Sequence, residues 1–139
     1  MKNAIIALVC CFTAVMATLP ESGYYDIEEV LVRNAPSEKQ NGSAWDPMGG
    51  APDLFLEFFM EEGDSDWIIL TTGTKENCGS SASWSSEWEI AIEGSSYLDD
   101  GIYLRVKVWD SDTYQSDFMD SGRIQLTQLV VGENTIECS

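Results

Sequence analysis

The stretch Ile102 to Gly122, I-Y-L-R-V-K-V-W-D-S-D-T-Y-Q-S-D-F-M-D-S-G, decides the fold that this sequence predicts. In its first half Leu104, Val106 and Val108 share one face, and charged or aromatic residues share the other. Alternation at period two indicates a strand with one face in a core. The second half turns polar and holds three aspartates within eight residues: Asp110, Asp112 and Asp117.

Other short runs with apolar residues at period two lie on both sides of this strand, separated by Gly, Ser, Asn and Asp. They cover 24–34, 53–60, 67–72, 87–93, 123–129 and 134–138. In the first of them Ile27, Glu29 and Leu31 interrupt the alternation, which leaves its buried face open. Seven or eight short strands at spacings near ten residues predict an all-β fold, an antiparallel β-sandwich. In the second run, one face has Leu54, Leu56, Phe58 and Met60, and the other has Phe55, Glu57 and Phe59. One face must be core, and we expect the other to be at least partly covered. The acidic run 61–66 is typical of a solvated turn.

The first seventeen residues have the pattern of a secretory signal peptide. Lys2 gives a positive start, an apolar run extends from Ala4 to Met16, and Ala17 is a small residue suited to cleavage. The apolar run is shorter than the roughly 20 residues of a membrane-spanning helix. The sequence therefore predicts a secreted, extracellular protein whose mature chain, 18–139, forms one domain.

Composition excludes some classes of function. The mature chain has 6 basic and 24 acidic residues, and 6 minus 24 gives a formal net charge of −18, which disfavours nucleic acid as a partner. The chain contains no His, so a zinc-thiolate site lacks ligands. Cys78 and Cys138 remain after cleavage, and in a secreted protein they predict one disulfide. Asn41 begins an N-glycosylation acceptor, Asn-Gly-Ser, typical of a surface loop.

The aspartates that follow the strand suggest a cation site. Asp110 and Asp112 project to the same side of an extended chain, and Asp117 returns towards them. The loop 35–52 is eighteen residues long, which hints at a binding loop, and if it lies at the same end of the sandwich, Asp46 and Asp53 join the other three. Calcium takes six to eight oxygen ligands, so five carboxylates could ligate two calcium ions or three.

Two other carboxylate sites fit less well. An EF-hand starting at Asp110 would need Gly at its sixth and Glu at its twelfth position, where Gln115 and Ser121 stand. Two carboxylates about 5 to 9 Å apart can cleave a glycosidic bond. Nothing else in the sequence supports an enzyme, because it has no His and no nucleophile motif. We therefore expect no enzymatic activity.

At two loops the sequence resembles the C2 domain family. That family has a first calcium loop of the form D-x-x-G-x-x-D-P-Y-V, here matched by Asp46 to Leu56. It has a third loop of the form V-x-D-x-D with a further Asp, here matched by Val108 to Asp112 and by Asp117. The similarity spans about 24–138. Asp120 stands where the family has Gly.

The resemblance implies an eight-stranded C2-like Greek-key sandwich whose calcium ligands are Asp46, Asp53, Asp110, Asp112 and Asp117. It also implies calcium-dependent docking on a phospholipid membrane or an extracellular protein partner. Trp45, Met48 and Tyr114 lie beside these aspartates and are candidates for membrane contact. Phe118 and Met119 are expected to begin the next strand and enter the core. The alternative hypothesis is a calcium-stabilised structural or matrix protein without lipid binding.

Overall fold

The computed structural model describes residues 5–10, 23–46, 50–92, 101–112, 115–130 and 132–138. These residues form eight strands, numbered in chain order, and one short 3₁₀ helix, Leu126–Gln128, after the seventh strand. The strands are β1 (Ile5–Cys10), β2 (Gly23–Arg33), β3 (Leu54–Glu62), β4 (Ser65–Thr71), β5 (Ser81–Ile92), β6 (Ile102–Asp110), β7 (Asp117–Gln125) and β8 (Gly132–Glu137). Among them is no helix long and apolar enough to span a bilayer.

The strands form two four-stranded sheets, ordered β5-β2-β1-β8 and β4-β3-β6-β7, and all neighbours are antiparallel. The predicted antiparallel β-sandwich is confirmed. The core lies between the sheets, where the alternate residues of β3 and β6 are buried. Leu54, Leu56, Phe58 and Met60 face inward, and Phe59 on the other face is buried as well. Period two in the sequence thus separated the two faces of each central strand, and the structure shows which face is the core.

At a β-bulge in β2, the residues that face the core change from odd-numbered to even-numbered positions. In its pairing with β1, Val9 lies opposite Glu29 and Cys10 lies opposite Ile27, so Glu28 is an extra residue in β2. Tyr25 and Ile27 are buried before this residue, and Val30 and Val32 are buried after it. One extra residue in a strand turns the following side chains to the opposite face. The bulge therefore explains the break in alternation along this run.

The turn between β3 and β4 is shorter than the predicted solvated turn. It consists of Gly63 and Asp64, with Gly63 in the left-handed region at φ 59°. Glu61 lies within β3, and its carboxylate accepts hydrogen bonds from Arg105 at 3.0 Å and from Arg123 at 2.6 Å. The prediction was wrong for Glu61, because pairing of β3, β6 and β7 brings two guanidinium groups to it.

Strand β1 uses residues for which cleavage is predicted. Its six residues pair with β2 from Arg33 to Ile27, and the same six pair with β8 from Glu137 to Gly132. The strands β2 and β8 are joined through it in the sheet order. The one strand predicted between the signal peptide and the long loop is β2, and the structure adds β1 before it. Cleavage near Ala17 stays a prediction.

We expect removal of residues 1–17 to destabilise the domain, because β2 and β8 each lose six cross-strand partners. A loss of about 3 kcal/mol would lower the melting temperature by roughly 10 °C in a domain of this size. Thermal unfolding of chains 1–139 and 18–139, followed by circular dichroism, measures the difference. A chain that starts at Ile5 and keeps β1 is the control. Equal melting temperatures would show that β1 does not stabilise the fold.

Gly122 marks a close approach between β7 and β8. A Cβ atom on Gly122 would lie 2.5 Å from the carbonyl oxygen of Glu137 and 2.7 Å from Cγ2 of Ile136. Gly122 also forms a bridge with Cys138. Such contacts with backbone leave no room for a methyl group, so only glycine fits here without a shift of β8.

We expect Gly122→Ala to lower the free energy of unfolding by about 3 kcal/mol, the upper part of the range for an overpacked core site. Gly73→Ala is the matched control, since a Cβ on Gly73 meets nothing within 4 Å and the residue has no positive φ. Chemical denaturation of both variants checks this. Equal losses in the two variants would contradict the packing argument.

Candidate metal centre

Three predicted aspartates lie where strands β3, β6 and β7 begin or end. Leu54, the first residue of β3, pairs with Asp110, the last residue of β6. Asp110 in turn pairs with Asp117, the first residue of β7. Asp53 immediately precedes β3. The antiparallel order of these strands therefore brings Asp53, Asp110 and Asp117 to one end of the sheet.

The Asp110 carboxylate is the buried centre of this group. Its Oδ1 atom accepts the backbone N–H of Asp53 at 2.8 Å, and its side chain is fully buried. Its Oδ2 atom is also buried and has no hydrogen-bond partner in the described part of the chain. Burial raises the pKa of Asp110, and the nearby charges of Asp112, Asp46 and Asp53 raise it further, against the hydrogen bond from Asp53.

Asp53 is held by backbone contacts on both sides. Its Oδ1 atom accepts the N–H of Asn77 at 2.7 Å, and its carbonyl oxygen accepts the N–H of Ser111 at 2.7 Å. Asp46 lies against Gly50, where an added Cβ would be 2.5 Å from its Oδ2 atom. Glycine at position 50 therefore gives the Asp46 carboxylate its room. Asp112 is partly exposed in the loop after β6.

The sequence pattern did not predict that a lysine side chain lies at this end of the sheet. The Lys39 ammonium group donates to Oδ2 of Asp117 at 2.5 Å. That hydrogen bond is the main cause of the raised pKa of Lys39, and the charges of Asp117, Asp112 and Asp110 raise it as well, against desolvation. The Nζ atom also lies 5.6 Å from the ring centroid of Trp45. Only the loop conformation brings Lys39 to residues so far along the chain.

The donor chemistry suits a hard cation, but the carboxylates are spread apart. Aspartate oxygens are the ligands that calcium prefers, and one buried oxygen of Asp110 lacks a partner among the described residues. Within the described ranges, no three acidic or thiol groups are gathered closely enough to hold a metal ion. Like charges without a cation between them repel. Binding would therefore require the side chains of the loops to turn inward.

Trp45 is not presented at the surface. It is 6% exposed, and its indole N–H donates to the carbonyl oxygen of Pro36 at 2.8 Å. The structure thus buries the Trp45 ring within the long loop, and the membrane contact expected of Trp45 stays a prediction. Met48 and Tyr114, the other two residues of that prediction, lie outside the described residues.

Phe118 begins β7 as expected, but it does not enter the core. It is 51% exposed and meets the ring of Trp109 edge-on, with centroids 5.6 Å apart. The prediction was wrong because the β6 to β7 pairing shifts register, so that Val108 pairs with Asp120 and Trp109 with Phe118. That pairing puts Phe118 on the outer face. Met119, the extra residue, is partly buried against the core.

The two cysteines are free thiols in this structure. Cys138 is fully buried, and burial raises the pKa of its thiol to about 12. The Cys78 thiol donates to the carbonyl oxygen of Lys75 at 2.8 Å, and burial raises its pKa as well. Both belong to or pack against the same core cluster. The disulfide between them stays a prediction.

Asn41 lies on an exposed turn of the long loop. Its Oδ1 atom accepts the N–H and the hydroxyl of Ser43, at 3.0 Å and 2.6 Å. Gly42 between them has φ 80°. The surface position suits the predicted glycosylation, which stays a prediction.

The comparisons with known proteins concern the fold. No protein-family model matches the chain, and no curated protein does. Among solved structures, the chain is similar to C2 domain A of RIM from Drosophila, with 16% identity, a TM-score of 0.60 and 100% of both chains covered. C2 domain A of plant extended synaptotagmin 1 matches at 13% identity and a TM-score of 0.48, over 98% of this chain and 92% of that chain. The first likeness confirms the architecture expected from the two loops, and the chain therefore has the fold of a C2 domain.

Proposed function

We propose that this protein is a secreted C2-like domain that binds calcium at the ends of β3, β6 and β7 and then docks on a phospholipid membrane. The observation that carries the proposal is the buried Oδ2 atom of Asp110, which has no partner among the described residues. A buried carboxylate oxygen without a partner destabilises a fold. A bound cation would satisfy it.

The residues have separate tasks in this proposal. Asp110 and Asp53 are fixed by the hydrogen bond between them and would form the rigid side of the site. Asp46, Asp112 and Asp117 lie in or beside loops and would turn towards that side. Extracellular calcium sites with a Kd of about 10⁻⁴ to 10⁻³ M are common, so a weak site is sufficient. Calcium would neutralise the acidic end and accept a lipid phosphate oxygen as an outer ligand.

An exposed aromatic side chain supports the membrane contact. Phe118 directly follows Asp117 and is half exposed. It rests on Trp109, which stacks on Phe55 with ring centroids 6.2 Å apart and planes 9° from parallel. These rings hold Phe118 beside the acidic end. Aromatic side chains with this kind of exposure favour the interface of a bilayer.

The second candidate is a calcium-stabilised structural protein without lipid binding. The burial of Trp45 favours it, because the long loop then offers one apolar side chain fewer to a membrane. The exposed turn at Asn41 also favours it, since a glycan there would stand beside the same loop. Both candidates need calcium and differ in the lipid step.

We expect Asp110→Asn to change stability with opposite sign in chelator and in calcium. Asn keeps an oxygen that can accept the N–H of Asp53 but removes the buried charge. The calcium-free variant should be more stable than the wild type, because Asn removes the buried charge and its repulsion by Asp112, Asp46 and Asp53. In calcium well above the Kd the order should reverse, because the wild type gains binding free energy that grows with the calcium concentration. Thermal unfolding in both buffers measures it.

Asp26→Asn is the matched control. It removes the same charge from an exposed position in β2, seven residues before the end of that strand. Its stability should respond to calcium as the wild type does. A wild type whose melting temperature is the same in calcium and in chelator would contradict calcium binding, and with it both candidate functions.

The lipid step has its own prediction. In calcium the wild type should co-sediment with vesicles that contain anionic phospholipid, and Phe118→Ala should lower the bound fraction severalfold, because a buried aromatic ring contributes about 2 kcal/mol. Trp67→Ala is the control, since Trp67 is 48% exposed on β4 opposite Met60, at the far end of the sheet. Stabilisation by calcium without sedimentation would support the structural candidate instead.

A further inference from the structure

Lys39 places a positive charge inside the acidic end of the sandwich. Its Nζ atom is 2.5 Å from Oδ2 of Asp117, in a pair whose side chains are about one third exposed. Asp110 and Asp112 also act on Lys39 electrostatically. One residue of this chain therefore occupies part of the space and one of the carboxylates that a bound cation would use.

The backbone holds Lys39 in this position. Its N–H donates to the carbonyl oxygen of Ser43, and its own carbonyl oxygen accepts the N–H of Gly42, both at 2.9 Å. Gly42 closes the turn at φ 80°, a conformation that other residues rarely adopt. Asn41 closes it further through its contacts with Ser43. The lysine therefore projects from a closed turn rather than from a freely moving loop.

Trp45 fixes the other side of the lysine. The ammonium group lies 5.6 Å from the Trp45 ring centroid, within the range of a cation–π contact. The ring itself is held by its hydrogen bond to Pro36. An ammonium group with contacts on two sides loses less conformational entropy when it pairs with a carboxylate.

We propose that Lys39 is a tethered cation that competes with calcium, so that calcium binds only by displacing the ammonium group from Asp117. This inference rests on the proposed calcium site and adds a determinant of its affinity. The pairing of Asp117 with Lys39 fits the absence of a gathered group of three acidic residues from the described ranges. It also raises the calcium concentration needed for binding, because part of the binding free energy is used to displace the ammonium group from Asp117.

The competition between calcium and Lys39 for Asp117 acts in both directions. If the ammonium group opposes calcium, then calcium must weaken the contact between Lys39 and Asp117 by the same factor. Calcium would thereby loosen the turn 39–43, which carries the predicted glycosylation site at Asn41. Loading of the site and the conformation of the long loop are thus coupled through one side chain.

The test compares calcium affinity in three proteins by isothermal titration calorimetry: wild type, Lys39→Met and Lys107→Met. We expect Lys39→Met to bind about tenfold more tightly, since a unit charge roughly 5 Å from a divalent ion in water has an energy of that size. Lys107→Met makes the same chemical change three residues before the end of β6, where the ammonium group lies over Phe59. Its effect should be much smaller, and Lys39→Arg should keep the affinity of the wild type.

The outcomes separate this inference from the proposal beneath it. Equal affinities of wild type and Lys39→Met would overturn the role of Lys39 and leave the calcium site standing. Tighter binding by Lys107→Met of the same size would also overturn it, since net charge would then be the cause. Binding by Lys39→Met alone would support it in its strongest form. No binding by either protein would overturn the calcium site itself.

A second measurement follows the lysine directly. The lysines are dimethylated with ¹³C-labelled formaldehyde, and Lys39→Met identifies the resonance of Lys39. In the wild type that resonance should move on addition of calcium and stay in place on addition of an equal ionic strength of sodium chloride. A saturating calcium signal in calorimetry with an unmoved Lys39 resonance would overturn the displacement.

Discussion

The candidate site depends on one hydrogen bond, from the backbone N–H of Asp53 to the carboxylate of Asp110. It lies just beyond the last pair of β3 and β6, Leu54 with Asp110, and is accompanied by the bond from the Ser111 N–H to the Asp53 carbonyl oxygen. These two hydrogen bonds extend the contacts between β3 and β6 by one residue, into the loops that adjoin the strands. They also bury Asp110 completely and leave its second oxygen without a partner in the described residues.

Much of this arrangement could be predicted from the sequence, because it follows from strand periodicity. The buried faces of β3 and β6 alternate at period two, and antiparallel pairing places the start of one beside the end of the other. The sequence placed Asp53 beside Asp110 on the condition that the loop 35–52 lies at the same end of the sandwich, and the pairing of β3 with β6 meets that condition. The sequence left the buried face of β2 open and assigned Phe118 to the wrong face. A bulge in β2 and a register shift between β6 and β7 interrupt the alternation there, and only the pairing with a partner strand shows where that happens.

The loop residues could not be predicted in the same way. Lys39 is 78 residues from Asp117, and their contact depends on the turn closed by Gly42. The sequence suggests that Trp45 is an exposed aromatic residue in an acidic loop. In the structure its indole N–H donates to the carbonyl oxygen of Pro36, and the ring is buried. Loops have no period, so the sequence shows which chemical groups they carry and not where those groups lie.

The raised pKa of Asp110 shows at which side of the pH range the buried carboxylate destabilises the fold. Because burial raises this pKa above its ordinary value of 3.8, folding favours the neutral carboxyl group. The stabilising contribution of the neutral form is fully present below that ordinary value and is lost as the pH rises through the raised pKa. Above the raised pKa, the calcium-free fold therefore holds a buried charge that destabilises it. Lys39 neutralises Asp117 and leaves the free oxygen of Asp110 unsatisfied by any described residue. Lys39 thus relieves the repulsion around Asp117 but not the burial of the Asp110 charge. A divalent ion that displaces Lys39 would bind both carboxylates, and the additional contact with Asp110 would favour its binding.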